Sequence, residues 1–199
     1  MSSTARFGSL YHLADTENLT SILRHGLMST ELLLLLADVA APERAALLRR
    51  HRGMNLQLRD GIVIRDQRPM PPGALTPALK DGLTPSDWYA LLNGFVFFWP
   101  DRQRMQRQWR ACRHRPQTVL TFDGSALLDR FAAEAFVSPI NSGNARRKPA
   151  ERGRETLLPY ATWLKAGWPT GRRWRAPAEF LFRCVIPAQP PYLIDVSSN

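Results

Sequence analysis

Two apolar, strand-like stretches near opposite ends of the chain each carry one polar residue, and they constrain the fold more than any other feature. The first is Leu10-Tyr11-His12-Leu13, followed by Asn18-Leu19 and then Ile22-Leu23-Arg24-His25-Gly26-Leu27. The second is Ala178-Glu179-Phe180-Leu181, followed by Ile194-Asp195-Val196. A histidine on a first strand and a glutamate on a late strand can meet in a single cleft, provided the chain returns to its start. At 199 residues the chain has room for one real core, so a single domain over 1–199 is expected.

Between these stretches, strands and helices mix without strict βα alternation, which predicts an α+β fold with mostly antiparallel pairing. Asp15 and Thr16 are N-cap candidates for a helix through Arg24, with Gly26 ending it in a left-handed conformation. Thr30 is expected to cap the leucine run at 31–36, and Pro42 to open a helix through about Arg50. Ile62-Val63-Ile64 reads as a short strand, the proline-rich stretch 69–77 as loop, and 85–92 as a helix after Thr84. Residues 30–92 thus form a mainly helical insertion. The aromatic run Phe95-Val96-Phe97-Phe98-Trp99 is a buried strand, and Asp101 caps a strongly basic helix to about Arg113. A strand at 118–122, a helix at 124–131, an edge-like strand at 135–137, a loop at 141–156 and strands at 177–186 and 192–196 complete the reading.

The hydrophobic content of 44% is that of a globular protein. The longest purely aliphatic run, Leu32 to Leu36, is far short of a membrane span, and no signal-peptide pattern opens the sequence; a cytoplasmic protein is the expectation. Cys112 and Cys184 fit neither a metal-ligand spacing nor a disulfide framework, and both are expected to be reduced; no metal is expected. The net charge of +10, from 27 Lys and Arg against 17 Asp and Glu, favours a polyanionic partner. No glycine-rich phosphate loop is present, which removes the usual NTPase and dinucleotide-fold readings.

Each candidate residue has a plain reading and a functional one. Glu179 alternates with Phe180 and Phe182; it is either an exposed strand residue or a carboxylate aimed into a cleft. In a cleft it suits cleavage of the nicotinamide–ribose bond of NAD, because breaking a glycosidic C–N bond builds positive charge on the sugar. His12 is either a satisfied structural residue or a hydrogen-bond partner of a ribose hydroxyl. Phe97, Phe98 and Trp99 are core, or one of them stacks on a ring of the ligand. Arg102 and Arg104 are solvated, or they clamp the NAD diphosphate. Ser138-Pro139-Ile140-Asn141-Ser142-Gly143 is a turn, or Asn141 and its backbone touch the ligand. Arg146, Arg147, Lys148, Arg152 and Arg154 form one basic cluster; Arg172, Arg173 and Arg175 form another, with Trp168 and Trp174 interleaved. These are solvated loops, or they grip a nucleic-acid strand by charge and stacking.

Three of these blocks resemble a known family. Tyr11-His12-Leu13 with Asn18-Leu19, Ile22-Leu23 and His25-Gly26-Leu27 resembles the opening of the DarT-type DNA-targeting ADP-ribosyltransferase toxins. Val96-Phe97-Phe98-Trp99-Pro100 with Arg102 is similar to their second aromatic strand and the arginine after it, and Ala178-Glu179-Phe180-Leu181 to their catalytic-glutamate strand. The chain also looks close to a bacterial sister family sharing Val96-Phe97-Phe98-Trp99 and the 138–143 segment. The resemblance implies a split antiparallel β-sheet with flanking helices and NAD as co-substrate. It further implies Glu179 as catalytic carboxylate with Arg102, or Arg104 in its place, on the phosphate side. Tyr11 and His12 would be on the cofactor, and a nucleic-acid acceptor, DNA before RNA, with a neutralising antitoxin as partner, would follow. Two alternatives stand beside it: an RNA 2′-phosphotransferase-like enzyme, which relies on arginines and lacks the late glutamate, and a non-catalytic nucleic-acid-binding module.

Overall fold

The structure, a computed structural model, describes residues 7–146, 148–169 and 175–198. Three antiparallel sheets and several helices make it α+β. The first sheet holds β1 (Ser9–Asp15), β5 (Gln117–Asp123) and β9 (Leu193–Ser198), with β5 in the centre. The second has the order β4 (Val96–Phe98), β8 (Glu179–Phe182), β6 (Ala135–Ser138) and β7 (Leu158–Pro159). A short ribbon pairs β2 (Leu56–Gln57) with β3 (Val63–Ile64). The helices are α1 (Leu19–His25), α2 (Thr30–Leu36), α3 (Ala41–Arg49), α4 (Pro72–Leu75), α5 (Pro85–Asn93), α6 (Arg102–Ala111), α7 (Gly124–Phe131) and α8 (Tyr160–Ala166). Among the described residues no helix is long and apolar enough to cross a membrane.

The two larger sheets meet edge to edge at one point. Tyr11 N–H donates to the Trp99 carbonyl and Trp99 N–H to the Tyr11 carbonyl, both at 2.9 Å. Residues of both edge strands, His12–Asp15 of β1 and Val96–Phe97 of β4, line a cavity at this junction. One core runs beneath both sheets. Phe98, 0% exposed, stands edge-on to Phe122 of the first sheet and Phe182 of the second, with ring centroids 5.3 and 5.6 Å away. Leu10, Leu120, Phe122, Val137, Phe180 and Phe182 extend this layer, each contributed by strand alternation.

The opposite face of the second sheet is also covered. Leu181 packs with Trp88, Tyr89 and Leu92 of α5, and with Phe95, so every residue of β8 is buried. This is why Glu179 is not an exposed strand residue. The 30–92 segment is mainly helical as expected, with the β2–β3 ribbon added. Leu34, Leu47 and Ile64 form its own small cluster. Asn18 ties it to the first sheet's connection: its amide donates to the Val63 carbonyl at 3.0 Å and accepts from Val63 N–H at 3.1 Å.

Local chemistry explains several boundaries. Thr84 and Asp87 form a reciprocal capping box at α5, and Asp101 accepts from Gln103 N–H to start α6. Other expectations are corrected. Ser29, not Thr30, caps α2. Asp15 caps nothing with its side chain, because it faces Arg115 instead, and the chain first makes a 3₁₀ turn at Thr16–Asn18. The strand expected at an edge, β6, lies between β8 and β7. The 69–77 loop contains the short α4, and β7 and α8 have no counterpart in the sequence reading.

Gly26 ends α1 at φ +84° and lets Leu27 pair with Ile186; a Cβ there would lie 2.7 Å from the Ile186 carbonyl oxygen. Gly26→Ala is therefore expected to lower the thermal midpoint by several degrees, about 2 kcal/mol or more. Gly73→Ala, where nothing lies within 4 Å, is the control. Equal midpoints for the two variants in a calorimetric scan would contradict this account of the junction.

Candidate functional site

A cavity of about 350 Å³, within the range of small-molecule sites, lies at the junction of β1 and β4. His12 from β1 and Glu179 from β8 both line it, together with Phe97, Trp99 and Asn141. The two ends of the chain therefore do meet in one cleft. The wall opposite them comes from the 52–70 stretch of the insertion and from Asn18 and Ile22.

Glu179 is 3% exposed. Its Oε2 accepts two hydrogen bonds from Ser142, one from the hydroxyl at 2.6 Å and one from the backbone N–H at 3.0 Å. Among the described residues none hydrogen-bonds Oε1. Burial pushes the carboxyl up to about 7, against the pull of the Ser142 hydrogen bonds and the charges of Arg104 and Arg152. Near neutral pH the group stands between its acid and its carboxylate.

Ser142 is itself held in place. Arg152, 1% exposed, donates through Nη1 to the Ser142 carbonyl at 3.1 Å and through Nη2 to the Asn144 carbonyl at 3.0 Å. Its guanidinium also lies over the Trp88 ring, and Trp88 Nε1–H reaches the Ser142 carbonyl at 3.4 Å. Arg152 thus braces the turn carrying Ser142 and is not part of a solvated cluster. Ser138 adds the other anchor, because its carbonyl accepts from Ala178 N–H at 2.7 Å, next to Glu179.

His12 donates from Nδ1 to the Phe97 carbonyl at 2.8 Å; a carbonyl can only accept, so Nδ1 carries the proton. Nε2 of the neutral ring is then an acceptor. Burial pushes the imidazole down to about 4 against that hydrogen bond, and the Arg65 charge lowers it further. The ring packs against Phe98 at 5.8 Å between centroids.

The remaining expected residues divide. Phe97, Trp99 and Asn141 reach the cavity, whereas Phe98 is core and Tyr11 contributes its backbone to the sheet bridge. Arg102 is exposed at the start of α6 and does not line the cavity. Arg104 is half-buried and 3.7 Å from Asp101; its charge is felt at Glu179, but it does not line the cavity either. Arg146, Lys148 and Arg175 are exposed, and Arg146 is tethered through Nη2 to the Arg68 carbonyl at 3.1 Å. Arg147, Arg172, Arg173 and Trp174 lie outside the described residues. No group of His, Cys, Asp and Glu able to hold a metal occurs among the described residues.

The chain belongs to the DUF7002 family, a family of unknown function, whose model matches residues 8–193. No curated protein and no solved structure matches it. The matched span includes both His12 and Glu179 and every strand except β9, of which it takes in only Leu193.

The raised value of Glu179 fixes the sign of a stability effect. The folded protein holds this proton more tightly than the unfolded chain, whose carboxyl titrates near 4.5, so stability falls as pH rises from about 4.5 to about 7. Glu179→Gln keeps an acceptor for Ser142 and removes the ionisation. It is expected to melt several degrees above wild type at pH 8 and level with it at pH 4.5. Equal midpoints at both pH values would show that the carboxylate carries no burial penalty.

Proposed function

We propose that this chain is an NAD-dependent ADP-ribosyltransferase that modifies a nucleic-acid base, DNA in preference to RNA. The observation that carries the reading is the convergence of His12 and Glu179, from strands at opposite ends of the chain, on one cavity between two antiparallel sheets joined at a single bridge. On this reading the two sheets are the halves of a DarT-like split sheet, and the 30–92 segment is an insertion into it.

The roles follow from the hydrogen-bonding capacity of each group. Neutral His12 presents Nε2 as an acceptor for a ribose hydroxyl, in a tautomer held by the Phe97 carbonyl. Glu179, ionised, accepts a second ribose hydroxyl at Oε1 while Ser142 occupies Oε2. As the C–N bond to nicotinamide breaks, nicotinamide leaves neutral with the bonding pair. The carboxylate stabilises the positive charge left on the sugar in a site where water does not compete. A base nitrogen attacks the anomeric carbon and gives up its proton to solvent. Phe97 and Trp99 supply aromatic wall for a ring of the ligand. The exposed Arg146, Lys148 and Arg175, with Arg107 and Arg110 on α6, give cationic surface for the acceptor strand, in keeping with the net charge of +10. A base-modifying activity of this kind would be toxin-like and would call for a neutralising antitoxin.

The direct test is incubation of the protein with NAD and single-stranded DNA, duplex DNA or RNA, read by intact mass. Wild type is expected to add one ADP-ribose mass to a DNA strand, and Glu179→Gln to lose at least about a hundredfold in rate while staying folded. Adduct formed equally by the variant would remove Glu179 from the chemistry. Absence of both adduct and free nicotinamide in folded wild type would favour a non-catalytic nucleic-acid-binding module.

Ser142 acts through Glu179, and its signature is a pH profile. Its hydrogen bonds favour the carboxylate, so Ser142→Ala is expected to move the acid limb of nicotinamide release from about 7 upward by about one pH unit, with the alkaline plateau largely kept. A uniform loss at all pH values, with the limb unmoved, would make Ser142 a structural residue only.

A further inference from the structure

The wall of the cavity formed by the insertion carries arginines that no described carboxylate meets within 4 Å. Three arginines line the cavity: Arg52 and Arg65 from the insertion, and Arg115 from the turn before β5. Arg115 is ion-paired with Asp15 at 3.3 Å and Asp66 at 2.9 Å, though its Nε has no partner. Among the described residues neither Arg52 nor Arg65 makes an ion pair within 4 Å.

Arg52 is 7% exposed. Its partners are neutral: Nη2 donates to Asn93 Oδ1 at 2.9 Å and Nε to the Arg65 carbonyl at 3.3 Å, while Nη1 has no partner. Gln67 holds the arrangement, accepting from Arg52 N–H at 3.2 Å and donating to Asn93 Oδ1 at 3.4 Å. Arg65 donates through Nη2 to the Cys112 sulfur at 2.9 Å, a weak acceptor. Burial lowers the Arg52 guanidinium to about 10, with the Asp66 charge opposing. It stays a cation at neutral pH, and a buried cation without a counter-ion is costly. Asp66 does not supply that counter-ion, since it is bonded to Arg115 and to Arg68 N–H. Both side chains line the cavity without a carboxylate within 4 Å among the described residues, and a guanidinium so placed matches the oxygens of a phosphate group.

We propose that Arg52 and Arg65 form an anion subsite of this cavity that takes the diphosphate of a dinucleotide ligand, and that providing it is what the 50–67 segment does. The proposal rests on the transferase reading only in naming NAD as the source of that diphosphate. It also relocates the phosphate contact from Arg102, which is exposed outside the cavity, to the insertion.

The test is calorimetric titration of the full chain with ADP-ribose and with adenosine, for wild type, Arg65→Gln and Arg52→Gln, each checked for folding by its melting curve. Arg65 is partly exposed and its variant is the safer one should Arg52→Gln fail to fold. Wild type is expected to bind ADP-ribose well above adenosine, and each folded variant to lose about tenfold or more in ADP-ribose affinity with adenosine unaffected. Undiminished ADP-ribose affinity in the variants overturns the subsite, as does a wild type that binds adenosine as well as ADP-ribose or binds neither. Nicotinamide release from NAD, followed in parallel, separates the two ideas. Affinity lost in the variants without release by wild type keeps the subsite and removes the transferase; release with affinity undiminished does the reverse.

Discussion

The contact between Glu179 and Ser142 is the constraint around which this molecule is arranged. A carboxyl buried to 3% exposure requires donors, and both come from a single residue of a turn 37 positions earlier. That turn cannot hold its shape alone. Arg152 pins its carbonyls, Trp88 of α5 closes over it, and Ser138 binds the strand just before Glu179. The second sheet, the insertion and the 138–152 loop are thereby joined at one point. Loss of any of the three would leave a buried polar group without its partner, which costs more than the bond itself contributes.

Two opposite electrostatic results of the same burial give the cavity its character. Dehydration favours the neutral form of each group, so it lowers His12 to about 4 and raises Glu179 to about 7. The histidine is therefore a fixed neutral acceptor over the working pH range, and the glutamate is the group that titrates. The cavity is further divided by charge. Asp15 and Asp66 pair with Arg115, while Arg52 and Arg65 in the insertion wall meet no carboxylate within 4 Å among the described residues.

Much of the frame was legible in the sequence because it depends on local pattern. Apolar and aromatic strand-like runs placed β1, β4, β5 and β8, capping chemistry placed the starts of α5 and α6, and the α+β class follows from their order. What escaped depends on distant partners. Asp15 has the composition of a cap, yet Arg115, one hundred residues later, takes its side chain. The pattern of β8 allowed Glu179 to face water; only α5 and the Ser142 turn, which cover that face, bury it. In a chain so rich in arginine, nothing local separates buried Arg52 and Arg152 from exposed Arg102 and Arg175. The difference is the set of carbonyls and aromatic rings that folding brings to each. Ser142 stood within a segment already marked as a turn, but its hydroxyl gains meaning only beside Glu179.

Membership of the DUF7002 family covers nearly the whole frame, and the cavity between the sheets is the feature that a function must explain. The most direct test of that account is titration of Glu179 itself, by carbon NMR of the side-chain carboxyl with Glu179→Gln as the assignment control. A midpoint near 7, well above the ordinary value of 4.5, is expected if the carboxyl is buried in the cavity wall and held by Ser142. A midpoint at or below 4.5 would mean a solvated or fully paired carboxylate and would contradict the account.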